Sequence, residues 1–210
     1  MVTSKCRKSD LFLLIVVAIV FVWSVIQPFQ YLIWLVEVLP AVVVLVIAII
    51  TYNKFRLTTL SYTVITILSI LTFIGGHYSY SEVPLFNWLK EEFDLSRNHY
   101  DRFGHLLKGL FAIVVREILI RKTPLSKGAW LFGITTSIML AIAAMYEIIE
   151  WLSTLFPTKM KASEDFLGMQ GDRWDAQWDM LLAFVGSLLA LFIFSKLHDK
   201  LLRRFMLSSK

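Results

Sequence analysis

Long runs of apolar residues divide the chain into segments of about the length of a membrane crossing. The runs include residues 11–26, 41–50 and 181–194, and polar residues cluster between them. The hydrocarbon core of a bilayer is about 30 Å thick, and a helix of about 20 mostly apolar residues crosses it. Because the apolar–polar alternation of barrel strands is missing, we expect helices, the other structure that satisfies the backbone in lipid.

The pattern predicts an all-α bundle of six transmembrane helices in a single integral membrane domain, residues 1–210. We place the spans near residues 10–28, 30–52, 57–77, 101–121, 128–152 and 176–197. Pro40 falls inside the second span and is expected to kink it. The segment 83–93 mixes apolar and charged residues and is expected to be an interfacial helix. The composition agrees, since 57% of the residues are hydrophobic and the mean hydropathy is +0.67, more apolar than a soluble domain.

The basic residues predict the orientation of the bundle. The N-terminus, the 53–56 turn, the 116–127 region and the C-terminal tail together hold 14 of the 21 Lys and Arg residues but three of the 16 acids. Since Lys and Arg are enriched in cytoplasmic segments, we place both termini in the cytoplasm. The net charge of +5 then reflects topology and attraction to anionic headgroups. We therefore expect membrane lipids as partners and no nucleic acid.

Four polar stretches fall in the outer half of the predicted bundle, at residues 75–80, 98–108, 146–151 and 166–179. Asp101, His105 and Lys108 follow i, i+4, i+7 spacing and therefore share one face of the fourth span. An ionisable group inside the membrane costs roughly 2.5–3.5 kcal/mol, so such groups usually face the bundle interior and pair there. We expect these stretches to surround one outward-facing polar pocket.

The residue types of these stretches fit three kinds of site, and the sequence leaves all three open. The first is a catalytic site of Asp101, His105 and Glu147 in which His105 transfers protons. It would hold an anionic lipid headgroup or phosphate, and the substrate-binding candidates are Arg102, Lys108, Arg173, Trp151 and Trp174.

The second kind of site is a divalent metal centre, since His nitrogens and carboxylate oxygens suit zinc, manganese or iron. The candidate ligands are His77, His105, Glu147, Glu150, Asp172, Asp175 and Asp179. The third is a proton path through Glu147, His105 and Asp179, as in transporters. The same ionisable groups also fit a purely structural role as ion pairs that hold the bundle together.

Several motifs resemble those of a known family. They are Gly-Gly-His-Tyr at 75–78, Tyr-Asp-Arg-x-x-His at 100–105, Tyr-Glu-Ile-x-Glu-Trp at 146–151 and Leu-Gly-x-Gln-Gly-Asp-x-Trp-Asp at 167–175. Across essentially the whole chain, they are similar to the YjdF family of bacterial inner-membrane proteins. The resemblance implies a multi-pass protein of the bacterial inner membrane and no particular reaction.

A more distant resemblance, to VanZ-like membrane proteins, rests on the order of the polar elements. Asp101 with His105, then Glu147, then Asp172 to Asp179 followed by Gly186, come in the order in which similar elements occur in that family. Arg102 stands where those proteins usually have Lys, and Glu150 where Gln is common. VanZ is associated with glycopeptide-antibiotic resistance, so the resemblance implies a role at the cell envelope. We expect a protein that acts on a lipid or lipid-linked substrate; the alternatives are a proton-coupled transporter and a non-catalytic binding or structural protein.

The predicted orientation can be tested with reporters fused after residue 210. With both termini in the cytoplasm, fused green fluorescent protein fluoresces and fused alkaline phosphatase, which needs the periplasm, is inactive. The opposite pair of results would contradict either the even number of spans or the orientation.

Overall fold

In a computed structural model that describes residues 7–154 and 170–208, the chain forms a helical bundle. The helices are α1 (Lys8–Val25), α2 (Tyr31–Thr51), α3 (Thr59–Tyr78), α4 (Pro84–Glu92), α5 (Tyr100–Lys108), α6 (Ala112–Lys122), α7 (Ala129–Thr154) and α8 (Asp175–Ser208). Short 3-10 helices lie at Tyr80–Glu82 and Gly109–Phe111. The described residues contain no strand, so the all-α prediction is confirmed. Of the polar stretch at 166–179, residues 166–169 lie outside the described ranges.

Five helices, α1, α2, α3, α7 and α8, are long and apolar enough to cross a membrane. Their outward faces carry large exposed apolar side chains such as Phe12, Ile50 and Phe192, which lipid tails cover at no cost. The chain is therefore a multi-pass membrane helix bundle, as predicted. Helix α2 runs through Pro40, and the helix expected at 83–93 is present as α4.

The fourth predicted span differs from the other five. Residues 100–122 are helical, but they are divided into α5 and α6 by the 3-10 helix Gly109–Phe111. This run, here termed the central run, extends from one end of the bundle to the other and packs against α3, α7 and α8. Ala112, Ile113 and Glu117 along it are completely buried. Because neighbouring helices shield the run from lipid, it can carry charges that a lipid-facing helix cannot. The number of six spans and the cytoplasmic location of both termini stay predictions.

The segments predicted to be cytoplasmic meet at one end of the bundle, here termed the inner end. Tyr52 at the end of α2 donates a hydrogen bond to Asp10 in α1 at 2.8 Å. Arg7 donates to the carbonyl of Leu57, just before α3, at 2.9 Å. Arg121, in the last turn of α6, donates to the carbonyl of Arg56 at 2.6 Å. The opposite end is termed the outer end.

Helix α8 continues well beyond the sixth predicted span, which was placed at residues 176–197. The apolar run ends near Phe194, but the helix continues through the basic segment to Ser208. The added turns pack at the inner end, where the guanidinium groups of Arg7 and Arg121 lie 5.4 and 5.2 Å from the centre of the Phe205 ring. The apolar pattern alone marks the end of the membrane crossing and not the end of the helix.

Two glycines allow α8 to approach the central run closely. A Cβ atom on Gly186 would collide with the backbone carbonyl of Leu106, whose carbon would lie 3.0 Å away. A Cβ atom on Gly109 would collide with the backbone of Gly186 and Ser187. Since both opposing groups are backbone atoms, neither can move aside without shifting a helix.

The close contact of α8 with α5 predicts that substitution by alanine has opposite effects on stability at two helical glycines. Gly186→Ala should destabilise the bundle by about 1–3 kcal/mol, because the added methyl group forces α8 away from α5. Gly133→Ala in α7 is the matched control, since its added methyl group would meet no atom of another element within 4 Å and alanine favours the helix. Thermal unfolding of the detergent-purified protein measures both. An equal effect of the two substitutions would contradict the close contact.

Candidate functional site

Five ionisable side chains meet near the outer end of the bundle. Four are acids or a histidine that are buried or largely buried, and the fifth is a lysine. Three come from the central run, Asp101, His105 and Lys108 on α5, and the others are Glu147 on α7 and Asp179 on α8. We call these five residues the outer cluster. His105 and Asp179 are each 2% exposed. The i, i+4 spacing on α5 places Asp101 and His105 on one face, as predicted, and the close packing of α8 brings Asp179 to them.

His105 lies at the centre of the outer cluster. Its Nε2 is 3.5 Å from Asp101 Oδ1 and 2.7 Å from Lys108 Nζ, and its Nδ1 is 3.9 Å from Glu147 Oε1. A lysine ammonium can only donate, so a neutral His105 ring accepts at Nε2 and carries its proton on Nδ1, facing Glu147. One atom each of Asp101, His105 and Asp179 lie within 4.8 Å of one another.

Several polar atoms of this region are buried without a hydrogen-bond partner among the described residues. They are His105 Nδ1, Glu147 Oε1, Asp179 Oδ1 and, beside the cluster, Glu37 Oε2 and Asp175 Oδ2. Leaving a buried polar group unsatisfied costs about 1–3 kcal/mol, and more for a charged one. A site that served stability alone would have satisfied these atoms, so their concentration here marks the cluster as a functional-site candidate.

Glu37 was not among the predicted site residues, although the structure places it beside the outer cluster. It is 4% exposed and lines a cavity together with His105 and Lys108. The sequence feature that could have identified Glu37 is its position as an acidic residue within an apolar span. Such a residue is rare unless it faces the bundle interior.

Two arginines and two aspartates close the outer side of the cluster. Arg97 pairs with Asp175, and Arg102 pairs with Asp172. Cross-pairs of 4.0 Å (Arg97–Asp172) and 3.7 Å (Arg102–Asp175) link them into one network. A hydrogen bond from the Trp174 backbone N–H, at 2.9 Å, together with Arg102, lowers the pKa of Asp172. Ion pairs therefore join three of the predicted site residues. Asp172 and Asp175 were predicted as metal ligands, and Arg102 was predicted to bind substrate.

Arg97 was missed by the sequence reasoning. It lies in the connection between α4 and α5, where a solvated loop residue is the ordinary expectation, and yet it is only 4% exposed. Its partner Asp175 is 78 residues away in the chain. Local spacing carries no signal for such a pair, because only the packing of α8 against α5 brings the two together.

His77, predicted as a metal ligand, is not brought to the outer cluster. Its ring stacks on Trp23 with the ring centres 4.3 Å apart, and its Nδ1 lies 3.2 Å from the carbonyl oxygen of Ser24. Because α3 packs against α1, His77 faces α1. These contacts give no support to His77 as a metal ligand beside His105, and that role stays a prediction.

The other predicted site residues lie at the rim. Trp151 and Trp174 are 58% and 52% exposed, and the Arg173 guanidinium lies 5.1 Å from the centre of the Trp174 ring. Glu150 is half-buried on α7, nearly one turn beyond Glu147. These residues surround the outer end, and Glu150 interacts electrostatically with Glu147, Asp101, Lys108 and Asp179 of the outer cluster.

A mostly apolar cavity of about 170 Å³ adjoins the cluster on the side toward the middle of the bundle. Its polar end is formed by Glu37, Tyr80, His105, Lys108 and Tyr146. The remaining wall is largely apolar and comes from α2, α3, α7 and α8, with Val44, Leu68, Met139, Ala143 and Ala183 among its residues. The site therefore joins a charged centre to a space that suits a hydrocarbon group.

The family model for a predicted membrane protein, DUF2238, matches residues 10–200. The chain belongs to this family. It is also 38% identical over 188 residues to the inner membrane protein YjdF of Escherichia coli strain K12, a match that covers 89% of each chain. The family and this relative confirm a multi-pass protein of the inner membrane, whereas the VanZ-like resemblance stays a prediction. No solved structure matches the chain.

The inner end contains a second buried polar group, which contrasts with the outer cluster because its hydrogen bonds are made. Glu117 is completely buried and accepts hydrogen bonds from the Thr58 backbone, the hydroxyls of Thr58 and Ser61, and Arg121, at 2.6–3.2 Å. His198 on α8 lies 3.4 Å from the same carboxylate. This inner network joins α3, α6 and α8.

This contrast predicts that replacing an acid by its amide changes the stability of the protein differently in the inner network and in the outer cluster. Glu117→Gln should cost about 2–4 kcal/mol, because the new amide N–H₂ group faces donors and Arg121 loses its charge partner. Asp179→Asn should leave stability unchanged or raise it, because it removes a buried charge with an unpaired oxygen. Melting temperatures measured in detergent with EDTA compare the two. Equal losses would show that the outer cluster is a structural ion-pair group.

Proposed function

We propose that this protein is an inner-membrane enzyme that acts on a lipid or lipid-linked envelope substrate. In this proposal Asp101, His105 and Glu147 carry the chemistry. The observation that supports it most directly is the position of His105, which belongs both to the charged outer cluster and to the wall of the apolar cavity. A substrate with a polar end and a hydrocarbon end matches both surroundings at once.

The dimensions and charges of the site favour an amphiphile over a small polar solute. The cavity of about 170 Å³ is well below the roughly 300–1,000 Å³ of sites that enclose a whole drug-sized ligand. It accommodates part of a chain, so the rest of the molecule lies among the helices or in the bilayer. Lys108, whose Nζ lies 4.4 Å from the centre of the Tyr146 ring, supplies a cation for an anionic headgroup oxygen.

The three reactive groups supply proton acceptors next to the polar end of such a substrate. The His105 ring has a carboxylate on each side, Asp101 at 3.5 Å and Glu147 at 3.9 Å. Flanking carboxylates orient an imidazole and stabilise its charged form during proton transfer. In the hydrolysis of a lipid-linked ester, the attacking water must lose a proton, and the carboxylate of Asp101 or Glu147 can accept it.

The packing below the cluster favours an enzyme over a transporter. The close contact of Gly109 with Gly186 lies immediately on the inner side of Lys108. Beyond it, Ala112, Ile113 and Leu191 form a buried apolar layer, all at most 2% exposed, before the inner network begins. Among the described residues, this layer separates the ionisable groups of the two ends. A site that packed apolar residues separate from the inner end suits chemistry at one side of the bundle better than passage across the membrane.

The proposal predicts a change in lipid composition that depends on His105. Cells that overproduce the wild-type protein should differ from cells with the His105→Ala variant in at least one extractable lipid or lipid-linked species, measured by mass spectrometry. His99→Ala is the matched control, because His99 lies at the start of the same helix and outside the cluster. Both variants should be as abundant in the membrane as the wild type.

A second pair of variants tests the cavity. Ala143→Phe fills the apolar wall beside the cluster and should abolish the same lipid change, whereas Ala141→Phe, exposed on the outer face of α7, should retain it. Identical lipid profiles in wild-type and His105→Ala cells at equal protein abundance would contradict the proposed enzyme.

A further inference from the structure

We propose that the outer cluster is a binding site for a divalent transition metal, in which Asp101, His105 and Asp179 are the ligands and the Lys108 ammonium competes with the metal. Glu147 is not one of the ligands, because it lies on the other side of the imidazole ring, 3.9 Å from His105 Nδ1. The catalytic role of such a metal rests on the proposed function, whereas metal binding does not and can be measured without a substrate.

The geometry of the three ligands is close to that of a metal site. One ligand atom from each residue lies within 4.8 Å of the other two. Ligand atoms around a tetrahedral zinc ion lie about 3.4 Å apart, given metal–ligand bonds of about 2.0–2.1 Å. The ligand atoms therefore have to approach one another by at most about 1.4 Å to reach this separation. Two ligands come from one helical face of α5, and the third comes from α8, which the glycine contact holds against α5.

Unpartnered polar atoms on the buried ligands are an independent indication of a ligand. Asp179 and His105 are both 2% exposed. Asp179 Oδ1 makes no hydrogen bond to the described residues, and neither does Glu147 Oε1 on the other side of the His105 ring. Coordination by a cation satisfies carboxylate oxygens that no donor reaches.

The charges of the cluster favour a cation with two positive charges. When ionised, the carboxylates of Asp101, Glu147 and Asp179 face one ammonium, that of Lys108, and two negative charges are left over. The two arginines nearby, Arg97 and Arg102, are paired with Asp175 and Asp172. Uncompensated charge in a buried site is costly, so the carboxylates must either hold protons or gain a cation.

Lys108 is positioned as a competitor for this cation. Its Nζ lies 2.7 Å from His105 Nε2, the nitrogen nearest Asp101 and therefore the one that would hold a metal between the two residues. The same Nζ lies 4.4 and 5.7 Å from the ring centres of Tyr146 and Tyr80. An ammonium displaced from His105 can therefore remain over these aromatic faces. The lysine then functions as a built-in cation that a metal must replace.

The donor set selects the class of metal. One imidazole nitrogen and carboxylate oxygens suit Zn²⁺, Mn²⁺ or Fe²⁺, and the site lacks the thiolate and thioether ligands that favour Cu⁺. With His105 as a ligand, Glu147 on the other side of the ring is the residue left to accept a proton from the substrate.

The test measures binding of Zn²⁺ and Mn²⁺ to the full-length protein, purified in detergent and stripped with EDTA, by equilibrium dialysis with metal analysis. Wild type should bind one metal per chain. Asp179→Asn should weaken binding at least tenfold, and Lys108→Met should tighten it at least tenfold because the competing charge is gone. Asp199→Asn on the same helix, at the inner end, is the matched control and should bind as the wild type does.

The outcomes separate this inference from the proposed function. Equal metal affinity in wild type, Lys108→Met and Asp179→Asn, in proteins with equal melting temperatures, would overturn the metal site and assign protons to the carboxylates. If Asp179→Asn weakens metal binding but Lys108→Met binds metal as tightly as the wild type does, the site holds and the proposed competition between Lys108 and the metal is overturned. Stoichiometric metal binding lost in Asp179→Asn, without any lipid change that depends on His105, would preserve the metal site and remove the proposed enzyme.

Discussion

The cost of placing charged side chains in lipid governs how the helices are arranged around residues 100–122. This run carries Asp101, His105, Lys108 and Glu117 through the length of the bundle, and each would be costly on a lipid-facing helix. Enclosure by α3, α7 and α8 removes that cost, and Gly109 and Gly186 allow the enclosure to be tight. The other helices can then present apolar faces to lipid, because the polar residues are held at the centre.

The two ends of this central run resolve the buried charge in different ways. At the inner end, Glu117 accepts hydrogen bonds from α3 and α6 and faces His198, so the charge is used to hold helices together. At the outer end, Asp179 and Glu147 keep unpaired oxygens in nearly complete burial. Proteins retain such unfavourable arrangements where function requires them. The comparison within one molecule is informative, because both groups lie in the same kind of surroundings.

The sequence predicts the membrane bundle and half of the site because those features are local. Apolar runs mark α1, α2, α3, α7 and α8, and helical spacing places Asp101 and His105 on one face. The helical run that carries Asp101 and His105 was predicted as one span, 101–121, but its division into α5 and α6 was not, because helical spacing does not mark the 3-10 helix Gly109–Phe111. The partnership of Arg97 with Asp175 and the departure of His77 toward α1 depend on which helices pack together. Nothing in local spacing encodes that packing.

The position of Lys108 connects the electrostatics of the cluster to its chemistry. A lysine one turn below a buried histidine would ordinarily neutralise a nearby acid. Here its ammonium contacts the imidazole nitrogen instead, and Glu147 Oε1 and Asp179 Oδ1 are left without a hydrogen-bond partner among the described residues. An ion-pair role would have placed the ammonium between carboxylates, where the Coulomb attraction is strongest. Its contact with His105, beside two aromatic rings and at the mouth of the apolar cavity, is the arrangement expected of a cation that gives way when another charged group enters.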